Sequence, residues 1–319
     1  MRRPFGLALW GAMRFGAIDL GSNSVRCLAV RARGEVLEYI DSGAWITRLA
    51  EGIGGGVVSV GDKHLARTLD AVGEALLLLG SAGVPLGHVA FRATESLRSA
   101  TNRDEIIRAM EELTGLRLEV LDPAEEARLG WEGASLGVPG AGMVFDLGGG
   151  SLDGGTADRT FSFPLGAVRM TALFGEDPGA VMEETVRAVG NSLEGPPGRL
   201  VGVGGTSSSA VMMLEGVPVT EYTPARLHGR TVKSEELKRL TARILATDPE
   251  DRSSITGLEK GRADIIVAGL SVIRAFLGLA GALEYTHSET DLLWALCREA
   301  AAEKGFDVSS AMMPRGTGR

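Results

Sequence analysis

A short motif that occurs twice constrains the fold of this chain more than any other feature. Residues 15–24 read FGAIDLGSNS, and residues 143–151 read MVFDLGGGS. In both, an apolar run reaches an aspartate and then glycine and hydroxyl residues, as in a buried strand that enters a tight turn. Glycine lets a backbone N–H approach a phosphate oxygen, and the aspartate can hold a metal ion or its water. Two such turns predict a phosphate-binding cleft between two related domains.

A third segment has the same character. Residues 200–209 read LVGVGGTSSS, an apolar run followed by glycines and then by hydroxyl residues that open a helix. The N-terminus of such a helix offers free N–H groups and the positive end of a dipole to an anion. One segment of this kind fits an ordinary Gly-rich turn equally well. Three in one chain favour phosphate binding.

These segments, with three others, resemble the exopolyphosphatase/guanosine pentaphosphate phosphohydrolase family of the actin-like, sugar kinase and Hsp70 superfamily. The resemblance extends from residue 15 to about residue 293. Six blocks carry it, in the family's order: IDLGSNS at 18–24, RATESLR at 92–98, EEAR at 125–128, DLGGGS at 146–151, PLGAVR at 164–169 and GGT at 204–206. It implies an α/β fold of two ribonuclease-H-like (actin-like ATPase) domains with an interdomain cleft.

The periodicity of the chain agrees with a duplicated unit. A meander of three strands, a helix, a strand and a helix are predicted in each half. The Gly/Pro run at 137–142 separates the halves, which gives an N-terminal domain at 14–137 and a C-terminal domain at 141–300. Residues 1–13 and 305–319 are predicted to be disordered or peripheral, and both Met1 and Met13 remain candidates for the start.

The resemblance implies that Glu126 is the catalytic base. Pro123 favours the start of a helix shortly before Glu126. This helix can direct the Glu126 carboxylate into the cleft. Glu125 is interpreted as an ordinary acidic residue of the first turn, where it complements the helix dipole.

Three aspartates are candidates for holding Mg²⁺, since this cation prefers carboxylates and keeps several of its waters. Asp19 and Asp146 end the two repeated strands. Asp153 stands where the family more often has glutamate, and a shorter carboxylate can still reach a metal through water.

The predicted phosphate-binding residues are those of the three turns, together with one arginine. The resemblance implies that Arg98 contacts phosphate, as a guanidinium can grip an anhydride oxygen. The turn residues are Gly21, Ser22, Asn23, Ser24, Gly148, Gly149, Gly150, Ser151, Gly204, Gly205 and Thr206. Weaker candidates for a basic lining are Arg92, Arg169, Arg230, Lys233 and Arg262.

Composition limits the partners of the protein. A net charge of −8 argues against binding to a nucleic-acid polymer. Two cysteines in 319 residues indicate a reducing, cytoplasmic setting, and no apolar stretch is long enough to span a membrane. The four histidines lack zinc-ligand spacing. Residues 207–209 form no nucleophile elbow, because no His or Asp partner is evident in the sequence. A homodimer is compatible with the sequence.

The sequence therefore predicts a Mg²⁺-dependent hydrolase that releases terminal orthophosphate from inorganic polyphosphate. Hydrolysis of guanosine pentaphosphate at its 5′ end is the alternative within this class. A kinase of the same fold and a non-catalytic polyphosphate or nucleotide sensor are alternatives from other classes. The sensor gains support from Asp153 and from residues 288–295, SETDLLWA, which lack the Leu-Arg-Glu-Gly pattern of many relatives.

Overall fold

The computed structural model describes residues 12–49, 59–193 and 198–313, which form two α/β halves. The first half contains β1 (Met13–Leu20), β2 (Ser24–Arg33), β3 (Val36–Ile46), α1 (Asp62–Ser81), β4 (Val89–Ala93), α2 (Glu95–Ser99), α3 (Arg103–Thr114), β5 (Glu119–Val120) and α4 (Pro123–Gly137). The second contains β6 (Ala141–Leu147), β7 (Leu152–Gly155), β8 (Thr160–Phe163), α5 (Ala167–Phe174), α6 (Pro178–Val189), β9 (Arg199–Val203), α7 (Gly205–Glu215), α8 (Pro224–Leu227), β10 (Thr231–Lys233), α9 (Ser234–Leu245), α10 (Ile266–Leu279) and β11 (Glu284–His287). The chain continues with α11 (Leu292–Glu303) and β12 (Ser310–Met312).

The two halves share one sheet topology. The strand orders are β12-β3-β2-β1-β4-β5 and β10-β11-β9-β6-β7-β8. In each sheet an antiparallel meander of three strands continues, beside its first strand, into two parallel strands. The run β3-β2-β1-β4-β5 thus corresponds to β8-β7-β6-β9-β11, as a duplication requires.

Helix α4 lies between the two sheets and joins their cores. Leu129 and Leu136 pack into an apolar cluster on the first sheet, beside Phe15 and Leu28. Ala134 belongs to a cluster of the second sheet that contains residues of β6 and β9. Since this helix also carries Glu126, its position relative to both sheets is fixed by packing on both faces.

The last helix returns to the first half. The sequence placed residues 141–300 in the second domain, but α11 buries Trp294 and Leu296 in the cluster that contains Phe15. The side chain of Asp291 accepts the Leu293 N–H at 3.0 Å and so begins this helix. Residues 292–300 therefore belong with the first sheet, because their apolar face is buried there.

A short strand near the C-terminus lies at the edge of the first sheet. Strand β12 pairs in parallel with β3 from Ser310 to Met312. Residues 305–313 thus include a strand of the first sheet. The expectations for residues 1–11 and 314–319, including the choice of start, lie outside the described residues. Within the described residues, no helix has the length and apolar character needed to cross a membrane.

We expect Gly133→Ala to destabilise the fold by about 1–3 kcal/mol, as typical overpacking does. A Cβ at Gly133 would overlap the carbonyl of Asp291, where α11 begins against α4. Gly130 in the same helix is the matched control, because its Cβ would meet nothing within 4 Å. Gly130→Ala should raise the free energy of unfolding by up to about 1 kcal/mol through helix propensity. Equal effects in urea denaturation would contradict the close approach of these helices.

Candidate functional site

Two equivalent hairpin turns form the centre of the site. The Gly21 N–H donates to the carbonyl of Ser24 at 3.0 Å, and the Gly148 N–H donates to the carbonyl of Ser151, also at 3.0 Å. These hydrogen bonds close the turns between β1 and β2 and between β6 and β7. The repeated sequence motif therefore folds into the same backbone turn in both halves.

The two turns pack against each other across the halves. A Cβ at Gly149 would lie 3.1 Å from the Ser22 Cβ and 3.2 Å from the Asn23 backbone nitrogen. Contacts of this length are tighter than ordinary van der Waals contact, so glycine allows the approach. The cleft is therefore narrow, with a volume of about 70 Å³.

The third turn presents a helix N-terminus to the same cleft. Gly204 precedes α7 with a φ of +89°, a conformation that favours glycine. Within the part of the chain that the structure describes, no side chain caps this helix. Gly204, Gly205 and Thr206 all line the cleft. The first N–H groups of α7 and the positive end of its dipole are thus available to an anion there.

All predicted site residues except Arg98 line this one cleft. They are Asp19, Gly21, Ser22, Asn23, Ser24, Glu126, Asp146, Gly148, Gly149, Gly150, Ser151, Asp153, Gly204, Gly205 and Thr206. Arg98 lies behind Glu126, and its Nη1 donates to the Glu126 Oε2 at 2.6 Å and to the Leu121 carbonyl at 2.7 Å. The structure thus places Arg98 against the predicted base; its predicted phosphate contact remains a prediction.

The environment of Glu126 perturbs its titration. Burial raises the pKa of its carboxyl well above the usual range, and the charge of Asp153 raises it further. The ion pair with Arg98 acts in the opposite direction. Glu125, in contrast, is exposed and does not line the cleft. A carboxylate with a raised pKa in a cleft has the character of a general base.

The three aspartates form an acidic group in the cleft, in which Asp19 and Asp153 are buried and Asp146 is half-buried. Asp146 and Asp153 are directly opposite each other in the β6–β7 pair. Burial raises the pKa of Asp146 to about 7, and the negative charges of its neighbours oppose the lowering effect of Arg26. Burial also raises the pKa of Asp153. This clustering of buried carboxylates is unfavourable unless cations compensate it.

Two oxygens of this group fit a hydrated cation. Asp19 and Asp153 are each 3% exposed, and the buried Oδ1 atom of each has no hydrogen-bond partner among the described residues. Among the described residues, no group of three or more His, Cys, Asp or Glu side chains is placed to hold a metal directly. The two buried Oδ1 atoms suit Mg²⁺ that keeps several waters between itself and the carboxylates.

Arg26 is the main site residue that sequence reasoning missed. It stands opposite Asp19 in the β1–β2 pair, where the second hairpin has Asp153 opposite Asp146. Its Nη2 lies 2.6 Å from the Asp19 Oδ2, and its Nη1 pairs with Asp291. The equal spacing of seven residues after each aspartate could have revealed this position.

A salt bridge between the halves borders the cleft. The Arg169 Nη2 lies 2.7 Å from the Glu95 Oε1, and the Arg169 Nε donates to the Gly150 carbonyl at 3.0 Å. Glu95 was not predicted as a site residue. Of the other weak basic candidates, Arg262 lines the cleft. Arg92 and Arg230 pair with surface glutamates elsewhere, and Lys233 is exposed outside the cleft.

Comparison with known proteins assigns this architecture to one family. The model of the Ppx/GppA phosphatase family matches residues 30–287. Exopolyphosphatase 2 of Mycobacterium tuberculosis H37Rv is 30% identical over 313 residues, covering 88% of this chain and 96% of that protein. Exopolyphosphatase 1 of the same strain is 30% identical over 290 residues, covering 82% and 81%.

Solved structures show the same fold. An exopolyphosphatase from Cytophaga hutchinsonii superposes with a TM-score of 0.78 at 22% identity, covering 91% of this chain and 98% of that one. A Ppx/GppA family member from Aquifex aeolicus gives a TM-score of 0.75 at 23% identity, covering 92% and 99%. The predicted resemblance and the α/β fold with two mixed sheets are confirmed.

We expect Arg98→Gln to raise the pKa of Glu126 further, because the substitution removes the cation that stabilises its ionised form. Arg92→Gln is the matched control, since Arg92 pairs with the more exposed Glu119 at 2.9 Å. The titration can be followed by ¹³C NMR of the carboxyl carbon, assigned by its loss in Glu126→Gln. A lower pKa in Arg98→Gln, or equal shifts in both arginine variants, would show that the ion pair does not control Glu126.

Proposed function

We propose that this chain, which belongs to the Ppx/GppA phosphatase family, releases terminal orthophosphate from inorganic polyphosphate in a Mg²⁺-dependent reaction. One observation carries the proposal: a half-buried glutamate with a raised pKa and three glycine turns converge on one narrow cleft. Relatives at 30% identity that are named exopolyphosphatase support the choice of substrate.

In this mechanism Glu126 accepts the proton of the attacking water. Packing of α4 on both sheets fixes its backbone, and Arg98 orients its carboxylate through the 2.6 Å hydrogen bond to Oε2. The Oε1 atom is then the proton acceptor. Holding water and base in one geometry supplies much of the rate enhancement in phosphoryl transfer.

The turns bind the phosphoryl group undergoing transfer. The two hairpin turns and the N-terminus of α7 all line the cleft. Their free backbone N–H groups would bind the phosphoryl oxygens there, and such fixed dipoles stabilise charge that spreads over these oxygens. Mg²⁺, held through water by Asp19 and Asp153, would neutralise further negative charge on these oxygens. Asp146, whose pKa lies at about 7, is the third candidate for this role.

Guanosine pentaphosphate is the second candidate substrate, and one observation favours it. A larger cavity of about 280 Å³ adjoins the cleft, and Met212, Val219 and Trp294 give part of its lining an apolar character. An apolar cavity beside a phosphate site can accommodate the organic part of a phosphorylated ligand.

A panel of substrates tests the proposal. Orthophosphate release is measured from tripolyphosphate, long-chain polyphosphate, guanosine pentaphosphate and ATP, each with and without Mg²⁺. We expect Mg²⁺-dependent release from a polyphosphate in the absence of any acceptor. Turnover of ATP only with a sugar or acid acceptor would indicate a kinase. Binding of polyphosphate without release would indicate a sensor.

We expect Glu126→Gln to lower kcat by a factor on the order of 10² to 10⁴, because loss of a general base acts on the transition state, with little effect on substrate affinity. Glu125→Gln is the matched control. It removes the same charge from the preceding residue, which is exposed and outside the cleft. Steady-state phosphate release from both variants, with thermal denaturation as a check on folding, decides the matter. Near wild-type kcat in Glu126→Gln would remove this residue from the mechanism.

A further inference from the structure

The larger cavity beside the cleft, here called the side cavity, opens directly from the third phosphate turn. Arg26, Gly204, Gly205 and Arg262 line both spaces. A substrate whose terminal phosphate lies near Glu126 can therefore extend past α7 into the side cavity. The wall of this cavity then acts on the part of the substrate that does not react.

A buried carboxylate forms part of that wall. Glu289 lines the side cavity, and its side chain is 10% exposed. Its Oε1 accepts hydrogen bonds from His287 Nε2 at 2.8 Å and from the Ser208 hydroxyl at 3.2 Å. Its Oε2 accepts one from the Tyr222 hydroxyl at 2.6 Å. Donors from three separate segments thus converge on this carboxylate.

A second layer of hydrogen bonds fixes the donors. Ser207 Oγ lies 2.7 Å from His287 Nδ1 and 3.0 Å from the Tyr285 hydroxyl. Ser207 therefore has a histidine partner that the sequence did not reveal. Both Ser207 and His287 are 0% exposed, so the hydroxyl is closed to substrates and orients the imidazole.

The network keeps Glu289 ionised. Burial alone would raise the pKa of this carboxyl, but the hydrogen bonds from His287, Tyr222 and Ser208 lower it below its usual value. Three well-placed donors favour the charged form of a carboxylate. The side cavity therefore presents a fixed negative charge.

The cations of the side cavity do not offset this charge. Arg26 and Arg262 are the Lys or Arg residues among its described lining, and both are already paired. Arg26 pairs with Asp19 and Asp291, and Arg262 pairs with Glu259 at 3.1 Å. Glu259, Glu289 and Asp291 also line the cavity. Acidic groups thus exceed basic ones there, and a polyanion entering it meets repulsion.

We propose that Glu289 is a specificity-determining residue that excludes extended polyphosphate from the side cavity, so that the enzyme prefers chains short enough to stay within the catalytic cleft. The inference rests on the proposed function for the identity of the substrate. Repulsion between the Glu289 carboxylate and a phosphate, with little water between them, costs enough free energy to set such a preference.

The test compares the affinities for tripolyphosphate and for long-chain polyphosphate by isothermal titration calorimetry with Mg²⁺. All variants carry Glu126→Gln, so that the chains remain intact. We expect the added Glu289→Gln to increase the affinity for the long chain relative to tripolyphosphate on the order of tenfold. A long chain offers more equivalent binding positions than tripolyphosphate does. This advantage is the same in every variant, so it cancels when the affinity ratios of the variants are compared.

Two further variants sharpen the test. Glu221→Gln is the matched control, because this exposed carboxylate pairs with Arg226 at 2.9 Å and does not line the side cavity. It should leave the ratio unchanged. Val219→Lys adds a cation at a cavity position that is 40% exposed, so it should raise the ratio without disturbing the core. It keeps the inference testable if Glu289→Gln does not fold.

Unchanged ratios in Glu289→Gln and Val219→Lys would overturn the inference and show that long chains leave the cleft by another route. Equal gains for both chain lengths would overturn it as well. If the proposed function itself is wrong, the result differs, because the wild-type protein would then release no phosphate from either chain. The affinity ratios still decide the role of Glu289 in that case.

Discussion

Burial of several carboxylates in one narrow cleft is the constraint on which the rest of the site depends. Asp19, Asp146, Asp153 and Glu126 line the same small space, and burial raises the pKa of the last three. Arginines compensate part of this charge. Arg26 pairs with Asp19, and Arg98 pairs with Glu126. The Oδ1 atoms of Asp19 and Asp153, which have no hydrogen-bond partner among the described residues, would hold the hydrated cation of the proposed mechanism. Binding of that cation would then depend on the electrostatic balance of the cleft.

The two halves share one fold, but their hairpins differ in charge at one position of the cleft. Both hairpins have an aspartate at the strand end and the same turn hydrogen bond. At the facing position one copy has Arg26 and the other has Asp153. The first hairpin thus neutralises its aspartate, whereas the second concentrates negative charge. Helix α4, packed between the sheets, then brings Glu126 to the boundary of the two halves.

The glycine turns, the strand-end aspartates and the duplicated topology could be predicted from sequence because each depends on local spacing. The predicted role of Glu126 rests on the resemblance to a family, because many helices have acidic residues in the first turn and this pattern alone does not indicate a catalytic base. Contacts between distant segments could not be predicted. Glu95 meets Arg169 across the halves, and Glu289 is surrounded by three separate segments. The return of α11 to the first sheet was missed because its apolar face could have packed on either half.

The proposed mechanism requires that Asp19 and Asp153 hold a divalent cation beside the terminal phosphate. Anomalous X-ray scattering from Mn²⁺, in crystals of the Glu126→Gln variant soaked with tripolyphosphate, can locate this ion. We expect one anomalous peak between these two carboxylates and the glycine turns, with water between the ion and at least one carboxylate. A peak elsewhere, or bound tripolyphosphate in the cleft with no peak beside it, would contradict this role of the two aspartates.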